Sequence, residues 1–210
     1  MYLVPDFTSN SGAKDGVSSL TWNHTCNGVG RILVVGVGSL ANINSVTYAG
    51  LPLTNINGAI GGESTRSSLW YLKNPPVGTA SIVVSFASGG RCAGAGISFV
   101  GADQLVPIHA SNTENGAGSP SVALTTTIPN TYVVDILYHS QTSPNPSAGG
   151  GQNVFMSVNP GSGDFAGASY KAWTGYGAVS MSWVRTGAHA YCAVAILETQ
   201  PQGSFLMNFV

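Results

Sequence analysis

The chain has 210 residues, of which seven are Lys or Arg and eight are Asp or Glu, giving a net charge of −1. A typical soluble domain is roughly one-quarter charged, and that charge keeps crowded surfaces apart. With Arg31, Arg66, Arg91 and Arg185 far apart, as are Lys14, Lys73 and Lys171, the chain lacks the concentrated positive patch that a nucleic-acid interface needs.

Apolar residues make up 43% of the chain, enough for a full core and too many for a disordered linker, while 28 glycines supply turns. The N-terminal Met1-Tyr-Leu-Val-Pro-Asp6 has neither the basic nor the apolar stretch of a secretory leader. No segment, the apolar run Ile32 to Val37 included, reaches the ~18 residues that would span a bilayer.

In chain order, short β-type runs alternate with turn residues. Ser18–Asn23 alternates weakly. Arg31–Val37 is nearly all apolar, as a strand buried on both faces would be. Ser45–Tyr48 and Leu51–Ile56 flank Ala49-Gly50 as a hairpin. Ser68–Leu72 is stopped by Lys-Asn-Pro-Pro. Ala80–Phe86 places Ile82, Val84 and Phe86 on one face, and Gly94–Val100 follows. Ser121–Thr127 is threonine-rich, and Thr131–His139 carries the strongest β pattern. Val179–Val184, Cys192–Glu198 and Ser204–Val210 complete the set.

These runs predict an all-β, antiparallel, jelly-roll-like β-sandwich of eleven or twelve short strands, with no sustained helical period. Neither an internal repeat nor a composition shift divides the sequence. The expected organisation is one sandwich over residues 1–200 and an apolar C-terminal tail over 201–210. The expected core contains Leu33, Val35, Trp70, Ile82, Val84, Phe99, Val134, Ile136, Trp183, Val194 and Ile196.

Three cysteines, Cys26, Cys92 and Cys192, leave at least one unpaired within the chain. Cys92 and Cys192 each precede an apolar β run, which makes them the favoured disulfide pair; the alternative is three small buried thiols. His24, His109, His139 and His189 show no ligand spacing, so no metal and no cofactor is expected. No nucleophile elbow or zinc-protease motif is present, and no catalytic residue is assigned. Asp135 stands out inside an apolar strand, where a carboxylate needs hydrogen bonds or water. Tyr170, Trp173 and Tyr176 lie in a glycine-rich stretch and offer ring faces for stacking on sugars, or else core filling.

Several stretches resemble, in their order, a jelly-roll-like β-sandwich module of phage structural and tail proteins and of large bacterial cell-surface proteins. They are Leu20-Thr-Trp-Asn-His-Thr25, Arg31-Ile-Leu-Val-Val-Gly36, Val46-Thr-Tyr-Ala-Gly50 with Leu53-Thr54, Leu69-Trp-Tyr-Leu-Lys-Asn-Pro75, Ile97-Ser-Phe-Val-Gly101 and Met181-Ser-Trp183. The resemblance spans roughly residues 10–200 and implies adhesion, decoration or assembly, with no reaction to carry over.

The expected function is therefore a non-enzymatic, self-associating subunit of a virion surface, tail or fibre, or of an extracellular filament. The alternative is a carbohydrate-binding adhesin or lectin-like module. Expected partners are copies of the chain, other virion or cell-surface proteins, or glycans. The expected location is a virion or the cell exterior. Phe205, Leu206, Met207, Phe209 and Val210 follow a turn-like Gln-Pro-Gln-Gly break and are the expected assembly contacts, as a strand added to a neighbour's sheet.

Overall fold

The structure, a computed structural model, describes residues 2–140 and 145–199. These form fifteen strands and one short 3-10 turn, Gly62–Ser64. The assembly contacts expected at Phe205, Leu206, Met207, Phe209 and Val210 lie outside the described residues.

The all-β antiparallel sandwich is present, with more strands than the eleven or twelve expected. The first half of the chain contains β1 (Val4–Cys26), β2 (Ile32–Ser39), β3 (Ile43–Tyr48), β4 (Leu51–Pro52), β5 (Thr54–Ile60), β6 (Arg66–Lys73) and β7 (Gly78–Val100). The second contains β8 (Ile108–Gly116), β9 (Ser121–Thr126), β10 (Thr131–His139), β11 (Ser147–Ala148), β12 (Asn153–Gly161), β13 (Asp164–Trp173), β14 (Gly177–Val184) and β15 (His189–Ile196). The Ala49-Gly50 turn joins β3 to β4 with both residues at positive φ, 52° and 78°, as a two-residue hairpin of matching twist requires.

Strands β1 and β7 pair along their whole length, from Val4 opposite Val100 to Cys26 opposite Gly78. Register shifts fall between Pro5 and Thr8 and, in closer succession, between Asn10 and Ser19. Bulges bend strands, and here they let one ribbon serve two layers. The start of β1 and the end of β7 extend a sheet through β2, β6 and β5; the end of β1 and the start of β7 extend another through β3 and β4.

With β1 and β7 each counted as two strands and the short β4 set aside, the two halves have the same wiring. Numbered within its half, each has a five-stranded layer in the order 1-8-3-6-5 and a three-stranded layer in the order 2-7-4. In the second half these are β8-β15-β10-β13-β12 and β9-β14-β11. This is jelly-roll wiring in which the fifth strand has crossed to its neighbour's sheet.

Three cores separate the four layers. One lies inside the first sandwich, with Leu33, Val35, Tyr48, Ile82 and Val84. One lies inside the second, with Val133, Leu137, Phe165, Met181 and Trp183. The third joins the two five-stranded layers back to back, with Ile32, Val34, Val134, Ile136 and Val194. Of the expected core, ten residues are buried and only Trp70 is half-exposed.

The halves meet reciprocally. Strand β2 packs on β10, β1 on β12 and β5 on β8, while β7 packs on β12 and β13 as β15 packs on β5 and β6. Such reciprocity is the mark of a two-fold interface, here within one chain. Small residues allow the close approach: a Cβ on Gly36 would lie 2.9 Å from Ile136 Cβ, and one on Gly38 would lie 2.8 Å from the Tyr138 ring. A polar clamp crosses the same seam. Arg91 lies 2.9 Å from Asp164 Oδ2, to which the Tyr138 hydroxyl also donates at 2.7 Å.

Candidate functional site

On β10, alternation turns Val134 and Ile136 to the middle core and Asp135 to the core of the second sandwich. Asp135 is fully buried yet surrounded by donors. Ser169 donates to Oδ1 through its backbone N–H at 2.7 Å and its hydroxyl at 2.8 Å. Tyr191 donates to Oδ2 at 2.5 Å, Trp183 Nε1 at 3.1 Å and Gln152 Nε2 at 3.3 Å. Burial pushes the Asp135 pKa up to about 6 against the downward pull of these hydrogen bonds. This is a buried polar junction that ties β10, β13, β14 and β15 together, with no partner carboxylate or base in the group.

The three aromatics expected to form a sugar-stacking face are not brought together. Tyr170 and Trp173 belong to β13 and face opposite sides of its sheet. Tyr170 packs with Tyr132 and Phe155, each ring pair 6.2 Å apart, at the edge of the middle core. Trp173 leans on the second sandwich, its Nε1 donating to Thr126 Oγ1 at 3.0 Å. Tyr176 follows in a turn and is exposed.

All three cysteines are buried free thiols, so the expected Cys92–Cys192 bridge is not formed. Their side chains enter different cores, Cys92 inside the first sandwich and Cys192 between the halves. Burial raises the Cys92 thiol to about 11 and the Cys192 thiol to about 12, which leaves them protonated and unreactive.

The histidines do not gather into one site either. His24 Nδ1 shares a hydrogen bond with Ser9 Oγ at 2.8 Å, and burial lowers its pKa to about 4. His189 pairs with Glu114 at 2.5 Å and stacks on His139 at 5.8 Å. Ser9 and His24 do not make a hydrolytic triad, because the buried Nε2 of His24 has no hydrogen-bond partner among the described residues. Among the described residues no group of three His, Cys, Asp or Glu is placed to hold a metal. No helix among them is long and apolar enough to cross a membrane.

Two concavities stand out among the described residues. The larger, about 290 Å³, opens on the side of the first sandwich between the start of β3 and strands β5 and β6. Its functional groups are Trp70, Arg66, Asn42, Asn55 and Ser68. Trp70 Nε1 donates to Ser68 Oγ at 2.7 Å, which fixes the ring. Arg66 Nε donates to Asn42 Oδ1 at 2.7 Å, and its NH1 donates to Leu40 O at 2.9 Å and Ser64 O at 2.6 Å. The Asn55 amide has only long contacts of 3.5 Å to backbone carbonyls, so its hydrogen-bonding capacity is largely unspent. The smaller hollow, about 160 Å³, lies at one end of the molecule between Tyr2, Tyr132, Trp173 and Glu198.

The sequence pattern singled out neither Arg66 nor the asparagines, because the residues that meet here come from three separate strands. Only the half-exposed Trp70 carried a signal, and its strand placed it in the core.

Wiring and cores together define the class: two jelly rolls fused back to back, an architecture that hosts scaffolding and binding functions alike. No known protein family, curated protein or solved structure matches the chain.

Proposed function

We propose that the protein is a non-enzymatic, self-associating structural subunit, of the kind that builds virion surfaces, tails, fibres or extracellular filaments. The carrying observation is an apolar end. The loops at one end of the sandwiches expose Tyr2 at 79%, Val29 at 62%, Val77 at 65%, Leu105 at 78%, Val106 at 62% and Tyr176 at 70%.

Backbone contacts hold several of these loops together. Gly101 N–H donates to Val29 O, Asn74 N–H to Arg31 O, and Thr199 N–H to Gly101 O. Asp103 Oδ1 caps the turn that presents Leu105 and Val106, accepting from their N–H groups at 2.7 and 2.8 Å. An apolar end on so weakly charged a surface favours burial against another copy. The described residues finish at Thr199, at this same end, and the sequence beyond it contains the apolar Phe205, Leu206, Met207, Phe209 and Val210, which we assign to contacts between copies. The resemblance read from the sequence to phage and bacterial surface modules belongs to the same proposal.

The test is the mass of the purified chain in solution. The wild type should form oligomers at micromolar concentration, and Leu105→Asp with Val106→Lys should give a folded monomer, since both side chains already face solvent. A wild-type chain that stays monomeric at 100 µM, or an unchanged oligomer in the double variant, would overturn the proposal.

A further inference from the structure

The internal duplication gives the side cleft of the first sandwich its own control. The two halves share one register: β2 and β10 both send even-numbered side chains to the middle core and odd-numbered ones inward, Val35 taking the place of Asp135. Their partner strands then correspond as well. Arg66 lies opposite Ser39 as Phe165 lies opposite His139; Ser68 lies opposite Val37 as Gly167 lies opposite Leu137; Trp70 lies opposite Val35 as Ser169 lies opposite Asp135.

In the second half this region is filled. The Phe165 ring is fully buried and meets Trp183 edge-on at 5.5 Å. The packing there is so close that a Cβ on Gly167 would fall 2.6 Å from one ring and 2.7 Å from the other. In the first half the Phe165 position is Arg66, and the volume stays open as the cleft of about 290 Å³. One half fills the gap with its own aromatic ring; the other leaves a ring-sized opening and surrounds it with hydrogen-bonding groups.

The geometry points to a saccharide-binding site in this cleft, with one sugar ring seated against Trp70. A pyranose has an apolar C–H face, which suits the fixed indole, and a rim of hydroxyls. Asn55 and Ser68 supply donors and acceptors for those hydroxyls, and the Arg66 guanidinium supplies donors alone. The volume is at the lower end for small-molecule sites, as a one-ring occupant requires, and the mix of an apolar wall with few convergent polar groups is typical of such sites. Ile43 and Ile60 extend the apolar rim, giving a second ring of the chain a surface to lie along. The site does not depend on self-association, because it lies on the side of the first sandwich, away from the apolar end.

The experiment is calorimetric titration of the full chain, and separately of the Leu105→Asp, Val106→Lys variant, with cello-oligosaccharides and with galacturonate oligomers. Binding of at least one series is expected in both proteins. Trp70→Ala should weaken it tenfold or more, Trp70→Phe should keep it within about threefold, and Asn55→Ala, a change at an exposed residue that leaves the fold intact, should weaken it about tenfold. Preference for galacturonate would show that Arg66 engages a carboxylate; equal binding of the two series would show that it engages hydroxyls. Absence of binding to either series at 10 mM would overturn the inference. So would binding that Asn55→Ala and Trp70→Phe both leave unchanged while Trp70→Ala, shown to be folded, leaves it unchanged too.

Discussion

Asp135 shows how one residue can be conspicuous in sequence and still be structural. Its place in an apolar strand marked it as a carboxylate in need of partners, and five donors from Ser169, Tyr191, Trp183 and Gln152 provide them. The partners themselves were not legible, because they come from β13, β14, β15 and a loop that meet only in the folded chain. Asp135→Asn puts an NH2 group among donors, and an unsatisfied buried group costs about 1–3 kcal/mol. The variant should lose about 1–3 kcal/mol of stability near pH 4, where the neutral carboxyl carries one donor hydrogen and the amide two. Its penalty should then shrink as pH rises, for a definite reason. Burial raises the folded pKa of Asp135 from 3.8 to about 6, so the stabilisation that this group gives is full below pH 4 and is lost as pH rises through 6. Each pH unit across that window is worth about 1.4 kcal/mol. His24 works in the opposite sense: with its pKa lowered to about 4, its contribution is full above pH 6.5 and is lost as pH falls towards 4. Urea unfolding of wild type and Asp135→Asn at pH 4, 5, 6 and 7 isolates the Asp135 term, because His24 is common to both.

At the scale of the element, legibility followed alternation and run length. β2, β10 and β15 were visible because strands buried on both faces need apolar residues at nearly every position. β13, also buried over most of its length, was missed: its Asp-Phe-Ala-Gly-Ala-Ser run is small rather than apolar, with Ala166 and Ala168 turned to the middle core and Gly167 packed against the Phe165 and Trp183 rings. β8 and much of β1 are polar and have no fully buried position, so nothing in their composition separated them from loops. The glycines of β2 have the same origin as the alanines of β13. At Gly36 a side chain would collide with Ile136, so Gly36→Val should destabilise the protein by about 1–3 kcal/mol through overpacking. Ile136→Ala should cost stability alone but recover part of it in the Gly36→Val background. A favourable coupling energy in that double-mutant cycle is the expected result; strict additivity would mean that the two halves do not touch at this point.

For the whole molecule, the duplication is the fact that the sequence concealed. The two halves share strand order, register and layer count, but Val35 faces Asp135, Arg66 faces Phe165 and Trp70 faces Ser169 across the correspondence, so residue identity carries almost none of the likeness. What is repeated is the pattern of pairing, and pairing is not written locally. The reciprocal middle core gives each half a large apolar back that only the other half covers. Cutting the chain in the exposed turn between Gln104 and Leu105 should therefore give two fragments that aggregate when expressed separately and recover the intact chain's circular dichroism when refolded together. Joined in one chain, the two meet at a high effective concentration. A fragment that folds by itself to a stable monomer would show that the middle core is dispensable.

The pairing of β1 with β7 also fixes an order of events during synthesis. Strand β1 has its partner at the far end of the same half, Val4 with Val100, so the first sandwich cannot be completed until β7 has been made. Contacts this distant in sequence fold slowly, and at about 5–20 residues per second the open interval lasts for seconds. Once the first sandwich does close, its back waits for β10 and β15 to be made. That waiting surface carries Ile32, Val34, Leu69, Ile97 and Phe99 beside the small residues, so a passing chain has apolar area to grip. The apolar back that holds the finished halves together is thus a hazard on the polysome for as long as the first half stands alone.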